Sequence, residues 1–416
     1  MHSRHDVTKD IADVDVLFVN HAAEMGGAEL SLLGHARQLG NRCTVLLFTN
    51  GPLLKALQQV GVKVSVLDGA AGVVALARTT GVLRCLRTAG TIATTAVAIA
   101  RRMRTAKITY ANSQKAAVLT ALAALIARRP MVWHLHDIMT APDFSVANRR
   151  VVIALTNRAA HLVIANSDAT ADAYRAVGGR CPVCVIPNGI DPAPFDRTSR
   201  QDARASVAAE FGLGAAPVYG VFGRICGWKG QAVAIAALTG NVDAHLLVVG
   251  GPLFGEEAQD AALRHHAALL GVAERVHFCG FRQDIVRLMG AMDLVLHCST
   301  EPEPFGRVIV EGMMAGVPVI ATHGGGASEI VAGSGAGLLI PPGDPRALAE
   351  AIESVMRDPA LRADMGARGR AHARRNYALD HVQRRLDSAL SRWTGARPVT
   401  PGQTTARPHR RLGTPK

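Results

Sequence analysis

The residue types best suited to chemistry fall between positions 303 and 311. The run Glu303-Pro304-Phe305-Gly306-Arg307-Val308-Ile309-Val310-Glu311 sets two carboxylates around an apolar stretch. Phe305-Gly306 is expected to open a helix that runs to Met314 and stops at Ala315-Gly316. Eight positions along such a segment is just over two turns, which puts both carboxylates on one side. Free amides at a helix start suit a phosphate, and a glycine there lets an anion approach the backbone. The carboxylate nearer the loop can accept hydrogen bonds from sugar hydroxyls, and the later one can grip a ribose diol. Two solvated acids on a helix surface are the ordinary alternative. The apolar residues 308–310, Pro318 and the glycines 324–326 argue against it.

Two cations complete this picture. Arg224 and Lys229 follow the strand-like run Val218 to Phe222, where an anion would sit beyond the end of a parallel strand. Fixed cations there would hold and stabilise such an anion. Elsewhere, His134-Leu135-His136-Asp137 has metal-ligating types, and on a strand the two histidines share a face. No further His- or Cys-rich motif lies nearby, so no metal site is expected. Gly26-Gly27-Ala28-Glu29 forms a glycine loop after the first strand, and Glu29 there suits a helix N-terminus.

These residues need a scaffold, and the apolar pattern supplies one. Short Val/Ile/Leu runs at 14–20, 43–48, 62–67, 108–111, 131–134, 162–165 and 183–186 alternate with helical patterns. After a Pro- and Ala-containing stretch at 191–217 the series restarts at 218–222, 245–249, 276–279, 294–297, 317–321 and 337–340. Strands alternating with helices indicate parallel sheets covered on both faces. The fold class is therefore α/β, as two tandem Rossmann-like doubly wound domains facing across a cleft. The expected organisation is a disordered N-terminus at 1–13, a first domain at 14–195 and a second at 196–376. A terminal helix at 377–394 and a disordered basic tail at 395–416 follow.

The chain has 416 residues, 49% of them hydrophobic, which suits two cores and excludes a disordered protein. Its formal charge of +13 is unevenly spread. Residues 51–150 carry +11 and residues 351–416 carry +9, whereas residues 201–350 carry −6. The Arg-bearing stretch around 73–104 suits an anionic bilayer surface. The basic regions carry few aromatics and no nucleic-acid-binding motif, so no nucleic-acid partner is expected. Seven Cys, mostly within apolar runs, read as reduced thiols of a cytoplasmic protein. Cys181-Pro182-Val183-Cys184 has redox spacing but precedes a strand rather than a helix. No apolar stretch reaches the ~20 residues of a membrane span. No G-x-G-x-x-G follows either domain's first strand, which argues against a nicotinamide-dependent dehydrogenase.

Taken in order, these motifs resemble the retaining glycosyltransferases of family 4, with the GT-B fold. Glu303 to Glu311, Gly316-Val317-Pro318 and Gly324-Gly325-Gly326 carry the likeness in the second domain. Gly26-Gly27-Ala28-Glu29, Pro187-Asn188-Gly189-Ile190-Asp191, Gly223-Arg224 and Lys229-Gly230 extend it over about Val14 to Trp393. Cys226-Gly227-Trp228 departs from it, in a loop that is usually polar. The resemblance implies transfer of a sugar from a nucleotide diphosphate sugar to a hydroxyl acceptor, with retention and without metal or other cofactor. It implies catalytic roles for His136, Arg224, Lys229 and Glu303. It implies donor contacts from Gly26, Gly27, Gly223, Arg282, Phe305, Gly306, Arg307, Val308 and Glu311, and an acceptor or sugar contact from Glu29. The family's first domain binds acceptor, so its basic charge suggests a lipid-linked or cell-envelope glycan and a peripheral position on the inner membrane face. A sugar-nucleotide epimerase of the same fold and a non-catalytic relative are the alternatives.

Overall fold

The computed structural model describes residues 14–67, 69, 89–141, 145–241, 243–252 and 255–395. The expected disordered ends at 1–13 and 396–416, and Arg78, Arg84 and Arg87, lie outside the described residues.

All thirteen expected strands are present and pair in parallel. The first sheet contains β1 (Val14–Asn20), β2 (Cys43–Leu47), β3 (Lys63–Val66), β4 (Ala106–Ala111), β5 (Met131–Leu135), β6 (Ala160–Ala165) and β7 (Val183–Val185). Its order is β3-β2-β1-β4-β5-β6-β7. The second contains β8 (Val218–Phe222), β9 (His245–Val249), β10 (Val276–Gly280), β11 (Leu294–His297), β12 (Val319–Thr322) and β13 (Gly337–Ile340), in the order β10-β9-β8-β11-β12-β13. Strands such as Val16–Val19 and Leu246–Val249 are buried throughout because helices cover both faces, which is why they read as continuous apolar runs. In each sheet the order reverses beside the first strand, between β1 and β4 and between β8 and β11. Ligands of such sheets bind at the carboxyl side of that switch point.

The first-domain helices are α1 (Gly27–Leu39), α2 (Pro52–Gln59), α3 (Ala89–Met103), α4 (Gln114–Ala127), α5 (Val146–Ala159) and α6 (Asp168–Ala176). Ser113, Ser145 and Ser167 start α4, α5 and α6 by accepting a backbone N–H with the side chain. A short turn of helix, α7 (Ala193–Asp196), and α8 (Arg200–Phe211) lead into the second domain. There α9 (Gln231–Ala237), α10 (Glu257–Leu269), α11 (Ile285–Ala291), α12 (Arg307–Met314) and α13 (Gly325–Ala332) flank the sheet. The chain closes with α14 (Pro345–Met356), α15 (Pro359–Tyr377) and α16 (Leu379–Thr394).

The last helix returns to the first domain. Val382, Leu386 and Leu390 of α16 lie in one core with Leu32, Val45 and Ile164. The crossing is a backbone bridge: Ile190 N donates to Tyr377 O at 2.9 Å, and Leu379 N donates to Ile190 O at 2.9 Å. A β-carbon on Gly189 would stand 3.0 Å from Leu379 Cα, so the Asn188-Gly189-Ile190 motif is what lets the two segments touch. Leu386 is fully buried in this first-domain core. Leu386→Ala is therefore expected to lower stability by about 2–5 kcal/mol, read by chemical denaturation of the full chain.

Candidate active site

The second domain's half of the site is built where β8 and β11 end. Gly223 leaves β8 with φ 130°, and a β-carbon on Gly250 would overlap its carbonyl oxygen. Lys229 follows on a single turn, and Gly230 has φ 67°. A β-carbon on Gly230 would overlap the Cys298 carbonyl oxygen, so the loop after β8 lies directly against the end of β11. That contact places Lys229 Nζ 2.6 Å from Glu303 Oε2, with the ammonium 4.3 Å from the centre of the Trp228 ring. The aromatic that departs from the polar pattern of this loop thus packs on the cation.

Glu303 Oε2 has two further donors. Ser299 Oγ lies at 3.0 Å and His297 Nε2 at 3.2 Å. All three converge on one oxygen, and no donor among the described residues reaches Oε1. Burial alone pushes the Glu303 carboxyl up, but Lys229 and His297 outweigh it and hold the group well below the usual carboxylate range. Ser299, His297 and Glu303 have the types of a hydrolytic triad but not its geometry. Serine and carboxylate both sit on Nε2, whereas the buried Nδ1 has no partner. In a triad the acid orients the opposite nitrogen. The cluster holds a carboxylate and does not activate a serine.

Glu303 and Glu311 are not set side by side by one helix, as the spacing suggested. Pro304 and Gly306, the latter at φ 96°, delay the helix to Arg307. Glu303 instead belongs to a loop pinned by Gly326 N, which donates to the Glu303 carbonyl at 2.8 Å. A β-carbon on Gly326 would lie 2.7 Å from Phe305 Cα, the physical reason for the glycine run after β12. Glu311 is on α12, where Arg307 Nε donates to it at 2.7 Å. Burial raises the Glu311 carboxyl, and Arg307 opposes that rise. Arg224 stands at the end of β8, 3.4 Å from Glu256.

Three of the expected donor contacts are placed differently by their side chains. Phe305 is buried in the second-domain core with its ring edge-on to Tyr377, and Val308 packs against the same core. Only their backbones remain for a ligand. Arg282 is held by Asp284 at 2.8 Å and Glu210 at 2.6 Å, in a network that Arg287 shares. Its guanidinium ties α8 to the loop after β10.

The first domain's half of the site gathers at the ends of β1, β4 and β5. Asn20 Nδ2 donates to Glu29 Oε1 at 3.1 Å and to Ala22 O at 2.7 Å. Asn112 Nδ2 donates to Ala28 O at 3.1 Å and faces Asn20 Oδ1 at 3.4 Å. Asn112 Oδ1 is then left for His136 Nε2 at 3.1 Å, which must carry the proton. Glu29 is buried under Gly26, whose β-carbon would stand 2.7 Å from Glu29 Oε2. Burial raises its carboxyl, and hydrogen bonds from Asn20 and from the backbone of residues 26 and 29 oppose the rise. Its carboxylate is therefore spent on the start of α1 and on Asn20, rather than presented to an acceptor. Gly27 is exposed, with open space where a side chain would be.

His136 stacks on His134 with ring centres 3.8 Å apart. His134 Nδ1 meets Tyr110 Oη at 2.7 Å, and His35 Nδ1 meets Gln383 of α16 at 2.7 Å. Asn20, Asn112, His297 and Ser299 were not singled out from sequence. Their only signal is polarity at the carboxyl ends of strands β1, β4 and β11.

Both switch points thus carry polar, glycine-shaped loops, and the loop after β11 is also touched from the other domain: Ser167, after β6, donates to Pro304 O at 2.6 Å. Residues 25–194 match the model described as Glycosyltransferase Family 4, and residues 211–372 match Glycosyl transferases group 1. The crystal structure of Anabaena HepE in complex with UDP and glucose is similar, with 36% identity and a TM-score of 0.82, covering 91% of this chain and 99% of that one. The lipopolysaccharide core biosynthesis mannosyltransferase LpsB of Rhizobium meliloti is 33% identical over 235 residues, 54% of this chain and 63% of that protein. A GDP-mannose-dependent monoacylated alpha-(1-6)-phosphatidylinositol monomannoside mannosyltransferase of Corynebacterium glutamicum is 30% identical over 217 residues, 49% of this chain and 55% of that protein. The chain thus spans between half and two thirds of the length of these curated relatives. It belongs to glycosyltransferase family 4.

The histidine column gives the molecule an acid sensitivity. Burial lowers His35 and His134, and lowers His136 to about 3, with neighbouring histidines adding to the effect on His134 and His136. Unfolded histidines take up protons near pH 6.5 while these stay neutral, so the unfolded state binds more protons below that pH. The stability they contribute is complete above pH 6.5 and is lost as pH falls toward 3. Each contributes at most about 1.4 kcal/mol per pH unit. Unfolding free energy measured from pH 7 to 5 is expected to fall less steeply in His134→Asn than in the natural protein.

Proposed function

We propose that the protein transfers a hexose from a nucleotide diphosphate sugar to a hydroxyl acceptor with retention of anomeric configuration. The observation that carries this reading is the asymmetry of Glu303. One oxygen is saturated by Lys229, His297 and Ser299, and the other is left to accept from sugar hydroxyls. Arg224 and Lys229 neutralise the diphosphate, Gly306 and the start of α12 approach it through backbone amides, and Glu311 takes the ribose diol.

In this reading the bond between the anomeric carbon and the diphosphate oxygen breaks as the acceptor oxygen bonds to the same face. The departing phosphate takes the acceptor's proton. The Ser299–His297–Glu303 geometry supports a route without an enzyme nucleophile, because its serine is not activated. His136 borders the sugar, held in one tautomer by Asn112. Neutralisation by side chains makes a metal unnecessary, so turnover should survive a chelator.

The printed names of the relatives guide the substrates. HepE was crystallised with UDP and glucose, and the Corynebacterium relative is named for GDP-mannose and a phosphatidylinositol mannoside. We take a UDP- or GDP-hexose as donor and a lipid-linked or cell-envelope glycan as acceptor. A peripheral membrane position is supported by exposed Leu125 and Ile126 on α4 and Val146 and Val151 on α5, with Arg128 and Arg129 just past the end of α4 and Arg150 on α5. No helix among the described residues is long and apolar enough to cross a membrane.

Nucleotide release from a panel of UDP-, GDP- and ADP-sugars tests the donor. Glu303→Ala, Arg224→Ala and Lys229→Ala are each expected to reduce it by at least about a hundredfold with folding retained. Full turnover in any one removes that residue from the catalytic set, and an isomerised nucleotide sugar in place of free nucleotide indicates an epimerase. Co-sedimentation with anionic vesicles at low salt is expected, and is expected to weaken in Leu125→Ser/Ile126→Ser. Failure of the natural protein to bind such vesicles refutes the membrane position.

A further inference from the structure

The donor loop is gripped from the other domain. Ser167 caps α6 by accepting from Thr170 N at 3.1 Å, and its own hydroxyl donates to the Pro304 carbonyl at 2.6 Å. Thr170 Oγ1 stands 3.2 Å from the same oxygen. Both side chains are buried. On the facing helix α13, Glu329 accepts from Asp168 N at 2.9 Å and Ala169 N at 2.7 Å. A carboxylate of the second domain thus satisfies free amides at the start of a first-domain helix, where negative charge is favoured.

These contacts fall on the residues that follow Glu303. The Glu303 carbonyl is bonded within its own domain, to Gly326 N. The next carbonyl, of Pro304, is bonded to the other domain. Phe305 then packs edge-on to Tyr377 at the chain crossing, with ring centres 5.8 Å apart. Arg307, which holds Glu311, also reaches Gly189 O at 3.4 Å. The loop that presents the sugar-facing carboxylate is therefore wedged in the interdomain joint.

We infer that Ser167 is a positioning residue for sugar transfer: from the acceptor domain it fixes the loop carrying Glu303, so that Glu303 takes its working position only when the two domains are in register. The inference rests on the donor reading above. Nucleotide affinity depends on Arg224, Lys229, Glu311 and the backbone amides from Gly306 into α12, none of which is bonded to Ser167, whose partner is the Pro304 carbonyl. Loss of the clamp should therefore act on turnover and not on nucleotide binding, since a small misplacement of a reacting group is costly.

The test uses the full chain with UDP-glucose as donor. Ser167→Ala is expected to lower kcat for UDP release about ten- to a hundredfold, while the Kd for UDP stays within about twofold. Ser167→Thr, which keeps the hydroxyl, should restore kcat. Glu329→Gln, which weakens the neighbouring anchor, should shift kcat in the same direction by less. Unchanged kcat in Ser167→Ala overturns the inference. So does a parallel loss of kcat, UDP affinity and melting temperature, which is the mark of a simple helix cap. Amide hydrogen exchange over residues 303–307 provides a readout without turnover: exchange should quicken in Ser167→Ala, and unchanged exchange overturns the clamp whatever the donor. Faster exchange in a protein whose natural form releases no UDP would leave the clamp standing and refute the donor reading.

Discussion

The ion pair between Lys229 and Glu303 is the interaction on which the second domain's half of the site depends. A buried carboxylate is unfavourable unless paired and hydrogen-bonded. Here one oxygen collects an ammonium, an imidazole and a hydroxyl, and the surrounding architecture follows from that need. Gly230 lets the loop after β8 touch the end of β11, bringing the ammonium into reach. His297 and Ser299 lie at and just past the end of β11, so the same strand that leads to Glu303 supplies two of its donors.

The first domain's half of the site solves a different problem with the same economy of charge. Glu29, Asn20, Asn112 and His136 form a line of side chains in which each amide has only one satisfactory orientation. Such a line fixes the tautomer of its last member. Behind it, neutral histidines and Tyr110 fill the space between the sheet and α1. Among the described residues of the first domain, Glu29 is the buried carboxylate, and no buried Lys or Arg stands beside it.

Much of this was legible in the sequence, for identifiable reasons. Strands buried on both faces leave unbroken apolar runs, so every strand could be placed, and the restart after residue 217 marked a second sheet. Arg224, Lys229 and Glu303 stood out because charged residues rarely follow strand ends together. What could not be read is partnership through space. His297 sits in the apolar run of β11 and looks like a core residue, whereas Asn112 looks like any polar residue ending a strand. Arg282 carries the same charge as Arg224, yet Glu210, distant in sequence, consumes its guanidinium. The expected alignment of Glu303 and Glu311 on one helix face failed because Pro304 and Gly306 hold the first turn open. The spacing reflects a loop followed by a helix.

The return of α16 to the first domain has a consequence for how the molecule is made. The core that contains Leu32, Val45 and Ile164 is completed only by Val382, Leu386 and Leu390. During synthesis the amino-terminal sheet emerges long before those residues leave the ribosome, with part of its apolar surface uncovered. Domains that fold as they emerge usually finish in order. Here the second domain, whose own core ends with residues such as Ala373, can close first, and the amino-terminal unit waits for the last helix. The long sequence separation of that final contact slows its formation. A product truncated before Leu379 keeps that core open, because Val382, Leu386 and Leu390 are missing from it.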